Sequence, residues 1–159
     1  MTNDAPRQLE RSIEIDATPE EVWALVTDLP RMASWSPQVV RTTIAADEIG
    51  EGVRFTNLNR QWKVLHWPTK GKVVRFEPYR DFAFRIAENR TIWSFELTPT
   101  ATGTKVVQRR EVPDGISVLS IALTTVVLGG VGRFTDRLER GMDETLARIK
   151  ADAERATAA

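Results

Sequence analysis

The sequence predicts an α+β fold: about seven antiparallel strands in one strongly curved sheet, wrapped on a long C-terminal helix, with two short helices after the first strand. Three observations carry this. Between Val39 and Val112 apolar residues recur at alternate positions, as in Phe82, Phe84 and Ile86 or Trp93, Phe95 and Leu97, in runs separated by short turns. Alternation marks strands with one packed and one wet face, and short connections mark an antiparallel meander. Further on the period changes. Val131, Phe134, Leu138, Met142, Leu146, Ile149 and Ala153 recur every three or four residues, with charged residues interleaved. That is a long amphipathic helix, from about Val131 to Glu154. Finally, one sheet face needs cover, and only this helix is long enough to supply it.

Each element has its own signal. Leu9, Ile13 and Ile15 alternate in a first strand. Thr18-Pro19-Glu20-Glu21 then opens a helix: Thr18 can cap free amides, Glu21 can reach back, and Pro19 suits the first turn. Val22, Leu25, Val26 and Leu29 continue it at helical spacing, to about Asp28. Pro30 and Pro37 bracket a second short helical piece, Arg31 to Ser36, that holds Met32 and Trp35. Strands follow at Val40–Ile44, at Val53–Asn59, at Lys70–Phe76 with a start as early as Trp67, around Phe82–Ile86, around Trp93–Leu97 and at Thr104–Val112. Turns are expected at Glu48–Gly52, Glu77–Asp81 and Pro99–Gly103. Ile116–Leu128 is apolar on every side, and helix is favoured there, broken near Gly129-Gly130.

Composition narrows the function classes. The 159 residues suit one domain, with its core at about 8–155. The 22 Lys and Arg balance 22 Asp and Glu, against a duplex nucleic-acid binder. Without cysteine there are no disulfides, thiolate nucleophiles, Cys-zinc sites or Fe–S clusters, and a reducing, cytoplasmic setting is expected. The lone histidine, His66, leaves a transition-metal site to carboxylates alone, and no G-x-S-x-G elbow supports a serine triad. No metal or cofactor is therefore expected. The N-terminus lacks a signal-peptide pattern. The uncharged stretch Gly115–Gly132 just reaches spanning length, but its glycines, Thr and Ser argue against a membrane helix.

The stretch from Ile13 to Asp28, with Thr18-Pro19-Glu20-Glu21-Val22-Trp23 at its centre and Trp35-Ser36-Pro37 after it, resembles the opening of START-like, helix-grip proteins. More narrowly it resembles the polyketide cyclase/dehydrase-type group. Phe55-x-Asn57-x-Asn59-Arg60, Phe82-x-Phe84, Trp93-x-Phe95, Gly103-Thr104-x-Val106 and Gly141–Leu146 fit that group too, so the resemblance covers nearly the whole chain. It implies a cavity between the concave sheet face and the C-terminal helix, open near the second short helix. It does not name an activity, because the superfamily holds carriers, receptors, aromatases and cyclases.

The residues point the same way. The expected inner face carries Phe55, Phe82, Phe84, Trp93 and Phe95, with the apolar stripe of the helix, including Phe134 and Leu138. Asn57 follows Phe55 at even spacing, and Gln108 and Arg110 follow Val106, so polar groups share that face. A one-residue slip would turn Val107, Arg109 and Glu111 inward instead; Arg110 is favoured. Buried polar groups need partners, which a polar-tipped ligand can supply. Trp35 and Trp67 complete the expected wall, and Leu119 and Leu123 are expected beside the mouth. Asn59 and Trp62 are weighed as strand-end polarity and loop shielding. His66 is read as a loop residue, Asp114 and Glu111 as solvated ends. The expected activity is therefore binding or transport of a hydrophobic, lipid-like or polyketide molecule without catalysis. A cyclase or aromatase is the alternative, and a membrane-surface or regulatory interaction protein the third reading. Ile116–Leu128 is expected to act as lid or pocket wall, ahead of a homodimer contact and a transient membrane contact.

Overall fold

The computed structural model describes residues 8–113 and 131–158, with the backbone alone at 131, 132, 134, 157 and 158. Ile116–Leu128, including Leu119 and Leu123, lies outside the described residues, as does the side chain of Phe134. The elements are β1 (Gln8–Ile15), α1 (Pro19–Val26), a 3₁₀ turn (Leu29–Arg31), α2 (Met32–Trp35), β2 (Val39–Ile44), β3 (Arg54–Gln61), β4 (Leu65–Glu77), β5 (Asp81–Ile86), β6 (Ile92–Pro99), β7 (Thr104–Glu111) and α3 (Val131–Ala158). The strands form one antiparallel sheet in the order β1-β7-β6-β5-β4-β3-β2. None of the helices among the described residues is long and apolar enough to cross a membrane.

Local chemistry explains the boundaries. Thr18 Oγ1 accepts from the amide of Glu21, whose carboxylate accepts from the amide of Thr18, so the expected capping box starts α1. The helix stops at Val26, two residues before the expected end; Thr27 caps it, and Leu29-Pro30-Arg31 tightens into the 3₁₀ turn.

β4 differs most from expectation. No long connection precedes it: the strand begins at Leu65, joined to β3 by a turn at Trp62, Lys63 and Val64. Pro68 lies inside it. β5 ends at Ile86, opposite Gly71, so β4 before Gly71 pairs only with β3 and tolerates a missing N–H as an edge strand does. Register irregularities at Val39/Arg41 and Val73/Arg75 add local twist, which helps the sheet curl.

The sheet and α3 are fastened at one edge. Arg11 of β1 holds Asp143 through two bonds of 2.8 and 2.5 Å. Lys150 donates to the Glu14 carbonyl at 2.8 Å, and Glu154 accepts from the amide of Asp16 at 3.1 Å. α2 is fastened too: the Trp35 indole N–H donates to Asp152 at 2.8 Å, and Thr145 and Arg148 donate to the Trp35 carbonyl. Between these anchors the concave face holds the core of Ile15, Val22, Leu29, Phe82, Val106 and Ile149, all buried.

Candidate functional site: a cavity under the long helix

Toward one end of the concave face the core opens into a cavity of about 280 Å³. This lies near the lower end of the roughly 300–1,000 Å³ range usual for small-molecule sites. Strands β3 to β7 line it from the sheet, α3 lines it from the opposite side, and α2 with the start of β2 borders it. The wall brings together Trp35, Asn57, Trp67, Phe84, Trp93 and Phe95, and also Gln108, Arg110 and Leu138. Phe55 stands apart. It is buried but absent from the wall, because its ring lies across Gly71, where a Cβ would come within 2.2 Å of it, and edge-on to Phe84 at 5.3 Å. A period-two pattern gives the face of a residue, not which neighbour its ring covers.

The polar groups of the wall come from alternate positions of two strands. Register settles β7: Phe95 pairs with Gln108 and Trp93 with Arg110, so those side chains share the inner face. Arg109 is on the other face, bonded to Glu10 at 2.7 Å and Glu96 at 2.8 Å. Gln108 is 5% exposed, and its Oε1 has no hydrogen-bond partner among the described residues. Arg110 is 9% exposed, its guanidinium 5.9 Å from the centre of the Trp93 ring. Burial disfavours its charged form and pushes its pKa down to about 10. On β3, Asn57 accepts from the Thr42 hydroxyl through Oδ1 at 2.7 Å, which leaves its amide hydrogens to face the wall. Asn59 also reaches the wall, donating to the Trp67 carbonyl and to Thr69 Oγ1.

Several wall residues were not foreseen. Met32, Val39 and Ile86 add apolar surface, and Gly141, Met142 and Thr145 bring the helix close. Thr145 lies off the apolar stripe of α3 and is buried because α2 packs there, a contact no periodicity contains. His66 and Trp62 are exposed and outside the wall. Asp28 lies at the rim, exposed, and is the sole carboxylate of the wall among the described residues.

Known proteins share this architecture. The di-domain aromatase/cyclase StfQ of the steffimycin biosynthetic pathway superposes with a TM-score of 0.78 at 14% identity, over 96% of this chain and 52% of that one. Zhui aromatase/cyclase from Streptomyces sp. R1128 gives 0.75 at 15% identity, over 95% of each chain. A Polyketide_cyc-like protein from Corynebacterium glutamicum, Cgl2372, gives 0.67 at 24% identity, over 97% of this chain and 94% of that one. The chain spans about half the length of the di-domain proteins it matches. At such identities the likeness is one of fold. Among curated protein sequences there is no match. The family model described as polyketide cyclase / dehydrase and lipid transport matches residues 6–154, and the chain belongs to that family.

Proposed function

We propose that this protein binds a hydrophobic small molecule with at least one polar end, and that it does so without catalysis. One observation carries the reading: a largely apolar cavity has, on a single stretch of its wall, the Oε1 of Gln108, which has no hydrogen-bond partner among the described residues, and the buried guanidinium of Arg110. An unsatisfied buried amide oxygen costs about 1–3 kcal/mol, which a guest hydroxyl in the right place would recover. Arg110 suits a carboxylate or phenolate, through a charge-assisted bond stronger than a neutral one. The aromatic rings of Trp93, Phe84 and Phe95 offer flat surface to the rest of the guest.

Ring closure on a bound polyketide is the second reading, favoured by the family and by the likeness to aromatase/cyclases. It needs a general acid and base converging on the substrate. The wall offers Arg110, whose pKa of about 10 makes it a poor base near neutrality, and the exposed Asp28 at the rim.

Native mass spectrometry of the protein purified without added ligand, followed by titration with 8-anilinonaphthalene-1-sulfonate, tests binding. The expected result is one saturable site, weakened about tenfold or more in Arg110→Met, since loss of a bond to a charged group costs about 1.5–3 kcal/mol. No saturable binding overturns the proposal. Arg110-dependent acceleration of cyclisation of a poly-β-ketone thioester would put the second reading first.

A further inference from the structure

Charge and apolar exposure are both concentrated on the β3–β4 hairpin. Between Glu51 and Glu77 the chain carries six of its 22 Lys and Arg residues and none of its 22 Asp and Glu. Arg75 is paired with Asp81 at 2.7 Å; in a chain of zero net charge the other five, Arg54, Arg60, Lys63, Lys70 and Lys72, make a local cationic field. Register places Arg54 opposite Lys72, Thr56 opposite Lys70 and Arg60 opposite His66, so these basic groups share the convex face. Arg54 directly across from Lys72 is a like-charge pair, unfavourable for the sheet itself.

The tip is apolar. Trp62 is 55% exposed, Val64 80% and Leu65 45%. Together with Val40 and Trp67 they are five of the six large exposed apolar residues among those described. Backbone conformation adds to this. Trp62 and Lys63 have φ of 52° and 67°, the left-handed region that favours Gly or Asn. A Trp and a Lys stand in this exposed turn, where Gly or Asn would fold more easily. Gln61, the last β3 residue before the turn, and Trp67, shortly after it, line the cavity.

We propose that the β3–β4 hairpin docks the protein onto an anionic lipid bilayer. Trp62, Val64 and Leu65 enter the interfacial region, and Arg60 and Lys63 sit at the headgroups, with the remaining hairpin cations adding long-range attraction. Trp at the interface and Lys or Arg beside it are the residue types that bilayers retain there. An apolar tip alone would equally suit a second copy of the chain; the exclusion of every carboxylate from 25 positions, counted from Gly52 to Phe76, is what favours an anionic surface. The docking does not depend on what the cavity holds.

Co-sedimentation of the full chain with vesicles of phosphatidylcholine, and of three parts phosphatidylcholine to one part phosphatidylglycerol, tests it. Pelleting is expected with the anionic vesicles alone, and is expected to weaken severalfold as salt is raised. Trp62→Asn and Lys63→Asn suit the left-handed backbone, so the double variant is expected to fold at least as well as the parent. Its partitioning onto anionic vesicles is expected to fall about tenfold or more. Three results overturn the proposal: a parent protein that stays in solution with anionic vesicles, undiminished pelleting of the folded double variant, or a parent dimer that this variant converts to monomer while vesicle binding is unchanged. The last would make the tip a contact between copies.

Discussion

At one end of the concave face Trp23, Phe76 and Phe82 meet edge to face, with ring centres 5.2 to 6.2 Å apart, and Val106, Leu146 and Ile149 close around them. At the other end Asn57, Gln108 and Arg110 border a void. The same strands build both. Along β3 the inner face runs Phe55, Asn57, Asn59; along β7 it runs Val106, Gln108, Arg110. β3 and β7 point the same way, so both become polar toward the same end of the sheet. Rings that mesh edge to face fill space with few polar demands, here the single indole N–H of Trp23. Amides and a guanidinium cannot be sealed that way, and the fold leaves room beside them.

The sharpest test of this contrast is stability. Phe82→Ala, at a fully buried position of the packed end, is expected to cost about 3–5 kcal/mol in denaturant unfolding. Trp93→Ala, partly exposed and facing the void, is expected to cost less than half as much, because one side of that ring already lacks neighbours. Equal losses would erase the distinction between the ends.

Affinity for anilinonaphthalene sulfonate is expected to be level below pH 10 and to fall by up to about tenfold per unit above it. The cause is that Arg110, with its pKa lowered to about 10 by burial, loses its charge there while the sulfonate keeps its own. In Arg110→Met the profile should be flat. A parent whose affinity does not change with pH, together with an Arg110→Met variant that binds equally well, would remove Arg110 from the anion contact.

Two smaller effects refine the comparison on the helix side. Gly141 lies mid-helix, and an added Cβ would meet Pro37 at 3.5 Å, an ordinary contact. Gly141→Ala is expected to stabilise by about 0.5–1 kcal/mol while narrowing the cavity by a methyl, so tighter unfolding and weaker binding should appear together. A destabilised variant would mean that the added methyl crowds the segment at Pro37.

The smallest effect concerns Asp143, whose hydrogen bond and charge contact with Arg11 hold its pKa below the usual value of 3.8. Both side chains are well exposed, so the pair is worth about 0–1 kcal/mol. Because the folded pKa is the lower one, this contribution is present above about 4 and is lost as pH falls through the folded value. Asp143→Asn should therefore differ from the parent at neutral pH and converge with it in acid.

How much of this was legible beforehand follows from the range of each cause. Alternation marked six strands from Val39 onward, the three-to-four spacing marked α3, and Thr18 with Glu21 marked the start of α1, because each rests on neighbours within a few residues. The inward pairing of Gln108 with Arg110 was also local, a matter of counting by two from Val106. The first half of β4 was not: His66 and Pro68 argue against a strand until β5 is seen to stop short, which leaves Pro68 on an edge.

The site shows the same division. Local pattern assigned Asn57, Trp93, Gln108, Arg110 and Leu138 to the concave side. Three things were decided only when distant segments met: that the Phe55 ring settles over Gly71 instead of the void, that α2 packs against α3 at Thr145 beside the cavity, and that the packed and hollow ends part where they do. Periodicity assigns a side chain to a face because the backbone repeats. Whether the space above that face is filled depends on the shapes of side chains far apart in the chain, and only the packed tertiary structure brings those together.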